Sequence, residues 1–217
     1  MLAVMAARTT APPPVTGTAP VTIVVGEEEF LIDRAVRDLI TARQHAGQAG
    51  DVHDLDGAEL GPGELDSLTS PSLFGGESVV VIRAAQNAAK EVAAELTRYA
   101  ASPAPDVALI MTHAGAAKGK ELLAGVTAAG AEVIECPKVT RFAERLDFVR
   151  GEFRRAGQRA DDAAARALLD AVGSDLRELA AACEQLAADA GPGAAVDEAV
   201  VATYYRGRAE ATGVHRG

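Results

Sequence analysis

The chain has 217 residues, 48% of them hydrophobic, a formal net charge of -10, only 4% aromatic residues and no Trp. That composition excludes a disordered chain and supplies one or two cored domains. The charge has the wrong sign for a self-sufficient DNA binder, and the scarcity of rings leaves little for base-stacking platforms. Residues 1–20 contain ARTTAPPPVTGTAP, a Pro/Thr/Ala stretch without periodicity, expected as a disordered leader. Val21, Thr22, Ile23, Val24 and Val25 then form a β-branched run that reads as a buried strand. Gly26 permits a sharp turn, and Glu27, Glu28 and Glu29 open a helix to about Gln44 that carries Phe30, Leu31, Ala35, Val36 and Leu39 inward. Asp51 to Asp56 is a weaker strand, and Gly63 to Thr69 a short helix. Ser78 to Ile82 is an unbroken central strand, followed by a helix over Asn87 to Ala101 that Pro103 and Pro105 stop. Val107 to Thr112 is another buried strand, Lys118 to Ala129 a helix closed by Gly130, and Glu132 to Cys136 the last strand.

Strands and helices alternate five times, which predicts a parallel sheet with helices on both faces and right-handed crossovers. After Pro137 the pattern is helical. Thr140 is expected to cap a helix with Phe142, Leu146, Val149 and Phe153 as its apolar stripe; Asp161, Ser174 and Asp197 start three more, the last running through Tyr204. The expected divisions are a leader (1–20), an α/β domain (21–137), a small all-helical domain (138–205) and a tail (206–217).

A strand, a glycine turn and a helix N-terminus form the usual phosphate seat of α/β proteins, because free N–H groups and the helix dipole favour an anion. Here carboxylates occupy it. Around Gly26 there is no G-x-x-x-x-G-K-[ST], hence no lysine for a phosphate and no hydroxyl for magnesium. The glutamates suit the positive end of the helix and would repel ATP, so the architecture reads as a nucleotide-binding one whose first site is empty. Gly115 to Lys120 (GAAKGK) imitates a phosphate loop, but its spacing is one residue short and Glu121 stands where Ser or Thr must reach magnesium. A solvated loop feeding a helix is the plainer reading; an NTPase with a divergent loop at Gly115–Lys120 is the alternative.

Cys136 and Cys183 have no metal or redox spacing and are expected as reduced core residues; His45, His53, His113 and His215 are scattered, and no metal or cofactor is expected. Nothing suggests a Ser/His/Asp or Cys/His catalytic set, so no intrinsic catalytic site is expected. No apolar run approaches the ~18 residues of a membrane span, and Met1–Ala7 lacks a preceding basic residue, so a cytoplasmic location is expected. In Ser70–Gly76 (SPSLFGG), Leu73 and Phe74 stand side by side on a glycine-bordered turn. Adjacent residues cannot both face the core from a helix or strand. One reading is a plug tucked under the sheet, which composition favours; the other is an exposed finger that fills a partner's pocket. Lys138, Arg141, Arg145, Arg150, Arg154, Arg155 and Arg159 outnumber Glu144, Asp147 and Glu152 in a basic stretch explained mostly as helix flanks, with a partner or nucleic-acid contact as a second reading.

GEEEFLID (Gly26–Asp33), LDG (Leu55–Gly57), SPSLFGGESVVVIR (Ser70–Arg83) and GSDLREL (Gly173–Leu179) with Glu184-Gln185-Leu186 together resemble the delta subunit of the bacterial DNA polymerase III clamp loader. The resemblance covers nearly everything from Val21 to about Thr203. It implies an AAA+/P-loop-like fold, a five-stranded parallel sheet domain followed by a helical lid, without a phosphate loop. It implies a role in DNA replication: binding and opening the beta sliding clamp through a hydrophobic wedge, which maps onto Ser72, Leu73 and Phe74 and reverses the composition-based preference for a plug. The implied partners are the clamp, the tau/gamma and delta prime subunits of the loader, and DNA through the assembled complex. Arg177 falls where such lids carry a phosphate-sensing arginine; without a nucleotide its expected role is structural. Delta subunits continue into a collar domain that joins the ring; the chain is expected to end before it.

Overall fold

The computed structural model describes residues 18–45, 49–70, 77–191 and 193–213. The chain divides into two compact units between Lys138 and Val139. In the first unit, β1 (Val21–Gly26), β2 (Ala49–Asp56), β3 (Glu77–Arg83), β4 (Val107–His113) and β5 (Glu132–Cys136) form one sheet in the order β2-β3-β4-β1-β5, with every pairing parallel. Between the strands run α1 (Glu29–His45), α2 (Glu64–Leu68), α3 (Lys90–Ala101) and α4 (Lys120–Ala128). This is the expected α/β architecture, and the strand order is that of an AAA+-like domain.

Side chains alternate across each strand, so each central strand feeds two cores. On one face Val21, Ile23, Val80, Ile82, Leu109 and Met111 meet Leu65 of α2, Val92 and Leu96 of α3, and Leu122 and Val126 of α4. Every residue of β4 is buried, which is why VALIMTH carries no polar alternation. On α1, Leu31, Ala35, Val36 and Leu39 recur at helical spacing and are all buried.

Three local expectations change. The helix expected from Asn87 begins at Lys90, because Ala85–Asn87 closes a 3-10 turn and Ala88 and Ala89 are extended. The helix expected from Lys118 begins at Lys120, after Gly119 in the left-handed region. The first strand residue of β3 is Glu77, not Ser78.

The second unit packs α5 (Phe142–Arg155), α6 (Asp162–Val172), α7 (Leu176–Ala190) and α8 (Glu198–Gly213), and a two-residue parallel pair, β6 (Arg159–Ala160) with β7 (Ala195–Val196), joins its loops. Its core holds Leu146, Phe148, Val149, Phe153, Leu168, Leu179, Cys183 and Leu186. Phe142 does not join the stripe: it sits on the first helical residue and is 50% exposed, while Phe148 takes a buried place instead. Asp161 caps α6 as expected, its carboxylate accepting from the Ala164 N–H at 2.7 Å. Asp175, not Ser174, caps α7 by accepting from Glu178 N–H. At α5 the cap residue is Arg141 rather than Thr140, and Glu144 reaches back to accept from the N–H groups of both. Those two bonds, with Arg141 and Arg145 nearby, hold the Glu144 carboxyl below its usual range. The final helix runs on to Gly213, past Tyr204, since Arg, Ala and Glu outweigh the interior Gly207 in helix preference.

Phe153 is fully buried in this unit. Replacing Phe153 with Ala should lower the unit's stability by about 3–5 kcal/mol, read from urea unfolding.

Candidate functional site

Ligands of open parallel sheets bind outside the carboxyl ends of the strands, where the connections diverge. Here that place lies between β1 and β4, and the chain itself fills it. Only Glu27 and Glu28 separate β1 from α1. A Cβ on Gly26 would lie 1.8 Å from the Cys136 carbonyl oxygen, so the end of β5 occupies the space into which a phosphate loop would bulge. The Glu28 N–H points at that same carbonyl, 3.4 Å away. Gly115 closes the other side, its Cβ position 3.5 Å from Val25 and 4.0 Å from the Gly26 backbone. Burial, and secondarily the Glu28 carboxylate, push the Cys136 thiol up to about 11, so it stays protonated at neutral pH.

The outer half of this edge is held by charge. Arg83, at the end of β3, donates through Nε and a terminal nitrogen to Asp54 of β2 and through the other nitrogen to Asp33 of α1, at 2.9–3.3 Å. Burial weakens the Arg83 charge, but the two aspartates outweigh it and its pKa rises. P-loop NTPases hold magnesium with a loop hydroxyl and an aspartate; this edge carries a guanidinium bound by two aspartates. Next in the chain, Ala84 adopts φ 47°, a conformation costing about 1–2 kcal/mol outside glycine. The Thr112 hydroxyl accepts its N–H at 2.9 Å, and a Cβ on Gly57 would lie 3.0 Å from its carbonyl oxygen. Gly57 belongs to the LDG segment, whose Asp56 accepts from the Ala58 N–H at 2.8 Å.

The Gly115–Lys120 loop has its polar groups engaged within the fold. His113 is buried, and its Nδ1 accepts from the Gly115 N–H; its Nε2 therefore carries the proton and donates to the Gly119 carbonyl at 3.1 Å. The Ala114 N–H donates to Gln86 Oε1, and the Lys118 ammonium to Asn87 Oδ1 at 2.7 Å. Gly119 is required there: φ is 72°, and a Cβ would strike the Gln86 Cα at 2.6 Å. These bonds tie both ends of the loop to His113 and its start and Lys118 to the 3-10 turn after β3.

Ser72, Leu73 and Phe74 lie outside the described residues. Before them, α2 buries Leu65 and ends where the Thr69 and Ser70 hydroxyls donate to the Leu65 and Asp66 carbonyls, both at 2.8 Å. After them, Glu77 forms an ion pair with Arg43, a residue of the last turn of α1 that is only 3% exposed. Sequence reading missed Arg43 as a buried charge, although its place one turn beyond Leu39 on the apolar face of α1 signals it. Arg177 is exposed in the first turn of α7. Among the described residues there is no group of three His, Cys, Asp or Glu that could hold a metal ion, and no helix is long and apolar enough to cross a membrane.

Searches against protein-family models and against curated proteins find no match. Among solved structures, the Bacillus subtilis DNA clamp loader delta protein superposes with a TM-score of 0.69 at 17% identity, over 85% of this chain and 57% of that one. The fold of this chain is similar to that of the matched part of the clamp loader delta protein. This chain thus spans little more than half of the delta protein's length. A point variant of Thermotoga maritima RuvB aligns with a TM-score of 0.48 at 12% identity over 84% of this chain and 60% of its own. The RuvB Holliday junction branch migration motor of the same organism aligns at 0.45 and 12%, with the same coverage.

Two outcomes test the closed turn. Gly26→Ala should cost about 3 kcal/mol or more in chemical denaturation, because the clash is with backbone and not with a side chain that can turn away. The raised Cys136 pKa means that the folded state holds its proton longer than the unfolded chain. Stability tied to this thiol is intact below about pH 9 and falls by about 2–3 kcal/mol as pH rises toward about 11. Unfolding midpoints measured across that window should drop more steeply for the natural chain than for Cys136→Ala.

Proposed function

We propose that this chain is a delta-type clamp-loader subunit of DNA replication, which binds the beta sliding clamp and opens it without hydrolysing ATP itself. The reading rests above all on the two-residue connection after β1, closed by the Cys136 carbonyl, within a fold shared with a clamp loader delta protein. A chain with that fold and that turn is suited to act by binding rather than by phosphoryl transfer. The bonds that already engage the Gly115 N–H and the Lys118 ammonium weigh against the NTPase alternative. ATP hydrolysis falls to partner subunits of tau/gamma type, and DNA contact to the assembled polymerase III complex in the cytoplasm.

Ser72, Leu73 and Phe74 form the wedge in this reading. Burying the two large side chains in an apolar pocket is worth about 3–6 kcal/mol gross. Association costs at least about 4 kcal/mol, so the wedge anchors and the surrounding surface completes the interface. Opening follows from differential binding: a subunit that fits the sprung clamp interface better than the closed one shifts the ring's population by that difference.

The test is direct binding of purified clamp to this chain. Replacing Leu73 and Phe74 with Ser should abolish binding and leave the melting transition nearly unchanged. If the double variant unfolds instead, the two side chains are core and the wedge assignment is wrong.

A further inference from the structure

His113 is a buried titratable side chain, 1% exposed at the end of β4. Both ring nitrogens are bonded to backbone: Nδ1 accepts from the Gly115 N–H at 2.9 Å, and Nε2 donates to the Gly119 carbonyl at 3.1 Å. Only a neutral imidazole can do both, since it offers one acceptor and one donor, whereas the imidazolium offers two donors. A proton placed on Nδ1 sets donor against donor at Gly115. No counter-charge compensates it there: among the described residues neither ring nitrogen has a carboxylate partner. The 3-10 turn beside it presents Gln86 and Asn87, both uncharged. β1 presents Val25, with Glu27 and Glu28 beyond the strand. At the end of β3, Arg83 is taken up by Asp33 and Asp54. The loop and α4 carry Lys118, which Asn87 holds, and exposed Lys120 and Glu121.

We infer that His113 is an acid-released latch on the carboxyl edge of the sheet: the neutral ring holds Gly115 beside Val25 and the Gly26 turn, and protonation lets Gly115 go. The held contact is close, with the Gly115 Cβ position 3.5 Å from Val25 and 4.0 Å from the Gly26 backbone. Gly115 is itself exposed, so its freed N–H passes directly to water. The release stays local. The Nε2 bond to Gly119 survives protonation, the Ala114 N–H keeps Gln86, and Lys118 keeps Asn87, so the opening is confined to Gly115, Ala116 and Ala117. The direction follows from linkage: the open loop accepts a proton at Nδ1 that the closed loop refuses, so falling pH favours the open form. The latch acts whether or not the chain binds a clamp.

Hydrogen exchange of the Gly115 amide in the full chain, read by NMR as protection relative to the intrinsic rate at each pH, tests the latch. From about pH 8 to about pH 5, the span in which histidine takes up its proton, that protection should fall at least about tenfold, the scale of one lost buried hydrogen bond. Its midpoint should coincide with the titration of the His113 ring in the same sample. The Leu109 amide of β4, bonded to the Pro20 carbonyl, should stay protected throughout. His113→Asn keeps an acceptor for the N–H two residues on, as in an Asx turn, and cannot titrate, so its Gly115 protection should not change with pH. Level protection in the natural chain overturns the inference, and so does a fall whose midpoint differs from that of the ring. A fall that persists in His113→Asn overturns it too, as does one shared by Leu109, which is global unfolding. Where His113→Asn does not fold, the two midpoints and the Leu109 amide of the natural chain decide.

Discussion

The Cys136 carbonyl oxygen stands 1.8 Å from where any side chain on residue 26 would begin. Much of the α/β unit's organisation follows from that contact. Because β5 ends against β1, the connection to α1 is reduced to two residues and the helix starts at once. Because that connection is short, Glu28 sits beside the Cys136 thiol and raises its pKa further than burial alone. The parallel sheet would otherwise leave a crevice at its carboxyl edge. Gly26, Cys136 and Gly115 fill it with backbone.

Along the same edge, charge and strain are arranged without outside help. Arg83 gathers Asp33 and Asp54, the Thr112 hydroxyl accepts from the N–H of left-handed Ala84, and the Gly57 N–H donates to the Arg83 carbonyl. His113 binds both ends of the loop that follows it, through one nitrogen each. These are long-range contacts between ends of neighbouring strands. They tie α1, β2, β3 and β4 together at the face where relatives of this architecture would spend their polar groups on a nucleotide.

The strands and their order of appearance were legible because the β-branched runs at Val21–Val25, Ser78–Ile82 and Val107–Thr112 have no helical period and are bounded by glycine and proline. The short turn after β1 was legible too, since Glu27–Glu29 stand where a phosphate-loop motif of known spacing would run. Details that depend on partners distant in sequence were not. The break before α3 comes from the unusual Ala84 backbone, which no propensity signals. Phe142 fits the periodic stripe of α5 but stands at its first turn, where the core does not reach. The caps moved by one residue: at α7 Ser174 and Asp175 compete for the same role, and at α5 the Glu144 carboxylate takes the Thr140 and Arg141 N–H groups in place of a capping hydroxyl. Buried Arg43 hid on a helix face whose pattern foretold only apolar company. The wedge assignment of Ser72, Leu73 and Phe74 rests on sequence and resemblance alone, and those residues fall outside the described ones.

The guanidinium at the end of β3 has a wider consequence. A protein whose carboxyl edge is neutralised by a bound ion or nucleotide shares its stability with its ligand: the folded fraction rises and falls with supply. Arg83 makes the counter-ion part of the covalent chain, at an effective concentration that dilution cannot change. The counter-charge of Asp33 and Asp54 is thereby present whatever the supply of any outside ion.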